Sequence, residues 1–267
     1  MMDSREYAPI PQITFVVAVN NREVFEHNFL ASPCLRGVHA HEIVVQEQFD
    51  SAPKAYNDAL GRSSNDLIVF CHQDVYLPEG WLDDLRRDLD YLAIYDPNWG
   101  VLGCAGITVD CQPWRYLYSS GLGVIGAPLE YPTEVQTLDE VVLILRKSSG
   151  LRFDELLPHF HFYGTDICLQ ASKRAMKSYA ISAFCIHNTN EPLVLPAEFY
   201  QCYEHIKRTW SDCLPIQTTC IRITKFNVPL YLRRLRETYL RHIRRKEVGG
   251  MRVKDVRRLF EENAPKS

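Results

Sequence analysis

Five apolar residues, Leu67-Ile68-Val69-Phe70-Cys71, break at once into His72-Gln73-Asp74, and this run constrains the chain more than any other segment. Short apolar runs rich in β-branched and aromatic residues read as strands buried on both faces, the habit of a parallel sheet. In open α/β sheets, ligands sit beyond the carboxyl ends of such strands. Asp74 therefore stands at the expected rim of a site, where a carboxylate can hold Mg2+ or Mn2+ against a phosphate. Capping the turn into Leu77-Pro78-Glu79-Gly80 is the plainer role for the same acid.

The flanking segments extend the pattern. Residues 13–19 read as a first strand that opens into Asn20-Asn21-Arg22-Glu23, and residues 24–30 as a helix. Residues 41–46 form a second strand, ending in Glu47-Gln48-Phe49-Asp50. A helix follows over 53–60, with Ala55, Ala59 and Leu60 on one face and Asn57 on the other. After the third strand, Trp81, Leu85, Leu89 and Leu92 recur at intervals of four, four and three, the spacing of a helix that buries one side. This βαβαβα order predicts a parallel sheet with right-handed crossovers. Beyond it lie a Gly-punctuated strand at 99–106 and a Gly-, Pro-, Tyr- and Trp-rich loop or hairpin at 108–134. A buried strand at 141–146, a helix over 167–176 and a last strand at 179–186, ending in His187-Asn188, complete the series.

Composition narrows the class. The chain is 46% hydrophobic and 24% charged, ordinary for a soluble protein with a sizeable core. No run approaches the roughly 18 apolar residues of a membrane span, and Met1-Met2-Asp3-Ser4-Arg5-Glu6 lacks the apolar stretch of a signal peptide. Nine cysteines without a Cys-x-x-Cys pair argue against zinc and for a reducing, cytoplasmic setting.

The net charge of −3 hides an asymmetry. Residues 221–267 hold 14 Lys/Arg and 5 Asp/Glu, or +9, and the other 220 residues carry −12. We divide the chain accordingly into a body at 1–220 and a basic amphipathic helical extension at 221–267. Within the extension, Val228, Leu232, Leu235, Tyr239 and Ile243 follow helical spacing, with Asn227 as its cap. Val253, Val256, Leu259 and Phe260 mark a second helix. The expectation is a pair packed on the body with its Arg residues in solvent. The alternative is contact with an acidic partner or, peripherally, with the inner face of a membrane. Nucleic acid is not expected, since no stacking or groove-reading motif accompanies the charge.

Strand 14–19, helix 53–60 with Asn57, Phe70-Cys71-His72-Gln73-Asp74-Val75 and Phe162-Tyr163-Gly164-Thr165-Asp166 occur in the order seen in family 2-like glycosyltransferases, which the chain resembles over residues 12 to 190. The Phe-x-His-Gln-Asp-Val segment looks like a bacterial branch. The resemblance implies the GT-A fold, an α/β domain with a mostly parallel central sheet that binds a nucleoside-diphosphate sugar, UDP foremost. It also implies a divalent metal, Mn2+ or Mg2+, and an inverting transfer to a glycan or glycolipid acceptor in polysaccharide or glycolipid synthesis.

By the same resemblance Asp74 is the last acid of the metal-binding Asp-x-Asp motif, with His72 where the first Asp is usual. His187 completes the metal site, and Asp166 is the catalytic base; capping the following helix is its plainer role. Asn20, Glu47, Asp50, Asn57, His72 and Gln73 fall at nucleotide-binding positions. Trp114, Asp139, Glu140 and Tyr163 are the candidates for sugar or acceptor contacts, with the rings of Tyr116 and Tyr118 beside Trp114. Arg146 either meets diphosphate charge or ends its strand.

Two other classes compete. A nucleotidyltransferase would need a Gly-rich basic loop after the first strand, and Val19-Asn20-Asn21-Arg22-Glu23 has no Gly. A non-catalytic GT-A-like scaffold fits His72 but not the retained acids. A dehydrogenase is excluded, because no Gly-x-Gly-x-x-Gly follows a strand.

Overall fold

The computed structural model describes residues 11–36 and 41–263. In chain order these form β1 (Ile13–Ala18), α1 (Arg22–His27), β2 (Glu42–Gln46), α2 (Ala52–Arg62), β3 (Leu67–His72), β4 (Val75–Tyr76) and α3 (Trp81–Tyr95). The middle contains β5 (Val101–Gly103), β6 (Ala105–Thr108), β7 (Pro113–Ser119), β8 (Gly123–Gly126), β9 (Thr133–Leu138) and β10 (Val142–Arg146). There follow α4 (Tyr163–Lys173), β11 (Ser178–Ala180), β12 (Cys185–His187), α5 (Ala197–Thr209), α6 (Val228–Tyr239) and α7 (Val256–Asn263).

One large sheet runs β2-β1-β3-β10-β5-β11-β9-β6-β7-β12-β4, with β8 added to β7. β2, β1 and β3 pair in parallel, as the βαβαβ order requires. β10 enters antiparallel to both β3 and β5, and beyond it the sheet is mixed. Strict alternation in β1, β3 and β10 builds two cores. Phe15, Val17, Val69, Cys71, Val142 and Ile144 face α1 and α3, where Phe25, Trp81, Leu85 and Leu92 are buried. Val16, Ile68, Phe70, Leu143 and Leu145 face α2, α4 and α5. Each fully buried Phe or Leu contributes about 1.5–3 kcal/mol by leaving water, so a sheet covered on both faces holds its strand ends firmly.

Two segments differ from the sequence expectation, and at 108–134 the hairpin alternative is the one formed. The strand expected at 179–186 is two, because Ser182 leaves the ladder to donate its backbone N–H to Asp88 at 2.9 Å and its hydroxyl to Leu129. The 108–134 region is the β7–β8 hairpin followed by β9. In the tail, Val228, Leu232, Leu235, Tyr239 and Ile243 face solvent, while Leu230 and Glu237 are buried. The expected stripe therefore lies on the outer side of α6. Asn227 precedes α6, but its side chain engages Lys207 and Glu204 instead of capping.

The basic tail is woven into the body. Ile221, Ile223 and Leu230 join the core beneath α2 and α4. Val256, Leu259 and Phe260 pack with Tyr76, Tyr116, Phe184 and Ile186. All nine cysteines are free thiols. No helix among the described residues is long and apolar enough to cross a membrane.

Candidate active site

The parallel strands end together at one rim. His72 is the last residue of β3 and pairs with Ala18 at the end of β1. Three residues later the chain enters β4, which lies antiparallel to β12 with Val75 opposite His187. That register sets His187 beside Asp74, with His187 Nε2 3.5 Å from Asp74 Oδ1. The Asn188 backbone N–H also donates to the Asp74 carbonyl at 2.9 Å. Ligand-capable atoms of His72, Asp74 and His187 all lie within 4.8 Å of one another.

Surrounding groups prepare His72 and Asp74 as ligands; at His187 burial is outweighed by the charge and hydrogen bond of Asp74, which raise its pKa, so that ring binds an ion only on losing its proton. The Tyr163 hydroxyl lies 2.9 Å from His72 Nε2 and donates to the Glu140 carbonyl at 3.3 Å. With that hydroxyl proton on the carbonyl, His72 donates from Nε2 and its Nδ1 keeps a lone pair. Burial, then the neighbouring His187, lowers the His72 pKa and keeps the ring neutral. Burial alone would raise Asp74, but the charge and hydrogen bond of His187, followed by His72 and Arg252, outweigh it and hold the carboxylate ionised. Arg252 Nη2 donates to Asp74 Oδ2 at 2.9 Å, which leaves Oδ1 for an ion. Two imidazoles and one carboxylate oxygen form a set that suits Mn2+ better than Mg2+.

The cluster sits on the seam of two cavities. The first, of about 630 Å3, runs beneath the ends of β1 and β2 and is lined by Asn20, Arg22, Glu47, Phe49, Gln73 and Phe160 among others. The second, of about 430 Å3, lies under β7 and β9 and is lined by Arg115, Asp139, Glu140, His161, His187 and Thr219 among others. His72 and Asp74 line both.

In the second cavity Asp139 accepts from the Thr219 hydroxyl at 2.6 Å and the Val141 N–H at 3.3 Å. Desolvation, then the adjacent Asp139 charge, pushes the Glu140 carboxyl up to about 8. Burial lowers His161 to about 4.

The site therefore gathers Asn20, Glu47, His72, Gln73, Asp74, Asp139, Glu140, Tyr163 and His187. Gln73 is occupied in holding the rim, since it accepts from the N–H groups of Asn20 and Asn21 and donates to the Asn20 side chain at 2.6 Å. Glu47 pairs with Arg22 at 2.6 Å. Tyr163 lines the first cavity rather than the second.

Four residues expected at the site stand elsewhere. Asp50 pairs with Lys54 in solvent. Asn57 holds the Phe153 backbone, accepting at 3.0 Å and donating at 2.9 Å, so its amide has no free edge for a nucleotide. Trp114 packs against both the α2-side core and the α7 cluster. Asp166 lies in a separate hollow with Asp154, Lys173 and Trp210. There Asp166 accepts from Trp210 Nε1 at 2.8 Å and Gln170 Nε2 at 2.6 Å, so the arrangement speaks for a packing role rather than a base. Arg146 donates to the Pro97 and Trp99 carbonyls and so ends its strand.

Sequence reasoning missed Arg252, Arg22, Arg115, His161 and Thr219. Arg252 reaches Asp74 across 178 residues, and no local signal marks such a contact.

Comparison with known proteins fits this arrangement. The family described as "Glycosyltransferase like family" matches residues 14–207. The chain belongs to this family. Among curated proteins, "ATP synthase subunits region ORF 6" of Fuscovulum blasticum is 33% identical over 143 residues, 50% of this chain and 55% of that protein. The glycosyltransferase-like chain thus aligns with about half the length of that relative.

Solved structures with a similar course include GalNAc-T7 with UDP, GalNAc and Mn2+, at 8% identity and a TM-score of 0.50, covering 88% of this chain and 57% of that one. The mannosyltransferase PcManGT from Pyrobaculum calidifontis, in complex with GDP-Man and Mn2+, is 12% identical with a TM-score of 0.46, covering 88% and 71%. S. aureus TarS 1-349 in complex with UDP-GlcNAc is 15% identical with a TM-score of 0.46, covering 74% and 66%. The likeness to GalNAc-T7 concerns the fold alone, which is GT-A.

Proposed function

We propose that this glycosyltransferase-like chain moves a sugar from a nucleoside-diphosphate sugar to an acceptor hydroxyl in one inverting displacement. One observation carries the reading: His72, Asp74 and His187 converge where two cavities meet. A donor's diphosphate belongs at that junction, with its nucleoside in one cavity and its sugar in the other.

In the first cavity, Phe49 and Phe160 offer flat apolar faces to a base. Glu47 accepts from a ring N–H or a ribose hydroxyl, and uridine is the nucleoside we propose. When bound by His72, Asp74 and His187, a divalent cation supplies positive charge to the departing diphosphate.

In the second cavity, Glu140 takes the acceptor proton. A carboxyl held near 8 is matched to that task, because a base works best with a pKa close to the working pH. Asp139, fixed by Thr219, orients the acceptor or the donor sugar. The acceptor class is a glycan or a glycolipid. Base work thus moves from Asp166 to residues 139–140.

The test is a thermal-shift panel of UDP, GDP and dTDP with Mn2+, with Mg2+ and with chelator. UDP with Mn2+ should raise the melting temperature most, and Asp74→Ala should remove the part that depends on metal. No shift with any nucleotide would sink the reading.

A further inference from the structure

The outer side of α6 is an apolar face that nothing among the described residues covers. Leu232, Leu235 and Ile243 are 62%, 67% and 69% exposed, and Val228, Tyr231 and Tyr239 stand in the same row. At about 100° per residue the α6 members of that row fall within an arc of about 120°, the width of a face meant to be covered. The inner side of the helix is instead held by polar bonds. Glu237 accepts from the Leu195 N–H at 3.2 Å and from Arg233 Nε at 2.9 Å, and it also bonds the Tyr200 hydroxyl. Leu230 is the buried apolar residue of that side. The helix has thus turned its apolar row away from the core, where burial would stabilise it, and toward water.

Charge identifies what covers the row. Residues 228–246 contain seven Lys/Arg and one Asp/Glu, the buried Glu237. Arg236 lies on the flank of the row, and Arg241, Arg244, Arg245 and Lys246 cluster at its carboxyl end. Two copies of this face would bring like charges together, and an acidic surface would not. Tyr231 and Tyr239 add rings with polar tips, which suit the boundary between hydrocarbon and water. We propose that α6 and the turn after it are a seat on an anionic lipid bilayer, with the row in the headgroup boundary and the Arg/Lys cluster on lipid phosphates. Arg233, on the inner side of the same helix, lines the second cavity. The seat and that cavity are therefore separated by about one helix diameter, about 10 Å.

The experiment is flotation of the full chain with vesicles of phosphatidylcholine alone or with about 30 mol% phosphatidylglycerol, the anionic lipid supplying the surface potential. The chain should float with the anionic vesicles only and lose binding as salt rises, through screening of the Arg/Lys cluster. Leu232→Glu/Leu235→Glu should weaken flotation at least about ten-fold at an unchanged melting temperature, because both side chains face water. Leu156→Glu, at an exposed apolar residue elsewhere, should leave flotation intact. Equal binding to both vesicles, no binding, or indifference to the double substitution would overturn the seat. A lipid-free dimer dissolved by the double substitution would overturn it in favour of a second copy. Sugar transfer is not the readout, so these outcomes bear on the seat alone.

Discussion

Asp74 and Asp166 are both buried acids beside the end of a secondary-structure element, yet their surroundings treat them oppositely. Asp74 has cationic or cation-capable neighbours in His187, His72 and Arg252, and they keep it charged despite burial. Asp166 has neutral donors, the Trp210 indole and the Gln170 amide, and desolvation raises its pKa. A carboxylate ringed by imidazoles is arranged to meet a metal. One that satisfies an indole N–H is arranged to hold two elements together. Burial and motif position do not separate the two roles; the identity of the partners does.

The largest effect should come from the first of these acids. Asp74→Asn removes the charge on which Arg252 and His187 converge, and transfer should fall about 10^3-fold, as when a principal charge-stabilising group is lost. Mn2+ affinity, followed by isothermal titration, should fall with it. Activity within ten-fold of the parent would show that the cluster is not the reaction centre.

Next in size is Glu140→Gln, which should lower kcat about 10^2-fold or more while leaving UDP affinity nearly unchanged. A base must be deprotonated to act, so activity of the unsubstituted protein should fall as pH drops through about 8, and this limb should vanish in the variant. Retention of both kcat and the limb would move the base elsewhere.

Asp166→Asn sharpens the contrast from the other side. Transfer should stay within a few-fold. Weakening the bonds to Trp210 and Gln170 should cost about 1–2 kcal/mol, and the melting temperature should drop by a few degrees. Abolished transfer at unchanged stability would restore Asp166 as the base.

Of the candidate site, Asp74 was legible from residue order, and the other residues gathered there were given by resemblance. The rule that strand ends carry ligands led from the apolar run at 67–71 to Asp74, whereas Asp139 and Glu140, which precede the run at 141–146, were placed by resemblance. His187 was placed by resemblance, but its meeting with Asp74 depends on the β4–β12 register, which no local pattern encodes. The setting of Asp166 was out of reach for a similar reason. Trp210, which claims it, stands 44 residues away beyond α5, in a stretch to which sequence reading assigned no element. The spacing of Phe199, Cys202, Tyr203 and Ile206 was the overlooked sign of that helix. Periodicity also found the row on α6 but assigned it to the core. Period says which residues share a face and is silent on what the face meets.

The smallest effect concerns stability against pH, and it separates the same residues by sign. Glu140 and Asp166 have raised pKa values in the folded chain, so between their unfolded and folded values the folded state binds more protons than the unfolded one. Their contribution to stability therefore declines as pH rises, for Glu140 across about 4.5 to 8. Asp74 is depressed, so its contribution is present above the ordinary carboxylate range and is lost only as pH falls below it. Melting temperatures from about pH 2 to 9 should accordingly drop less on the alkaline side in Glu140→Gln than in the parent. Asp74→Asn should instead flatten the acid side. Identical profiles for the two variants would mean that the partners distinguishing these carboxyls in the fold do not distinguish their protons.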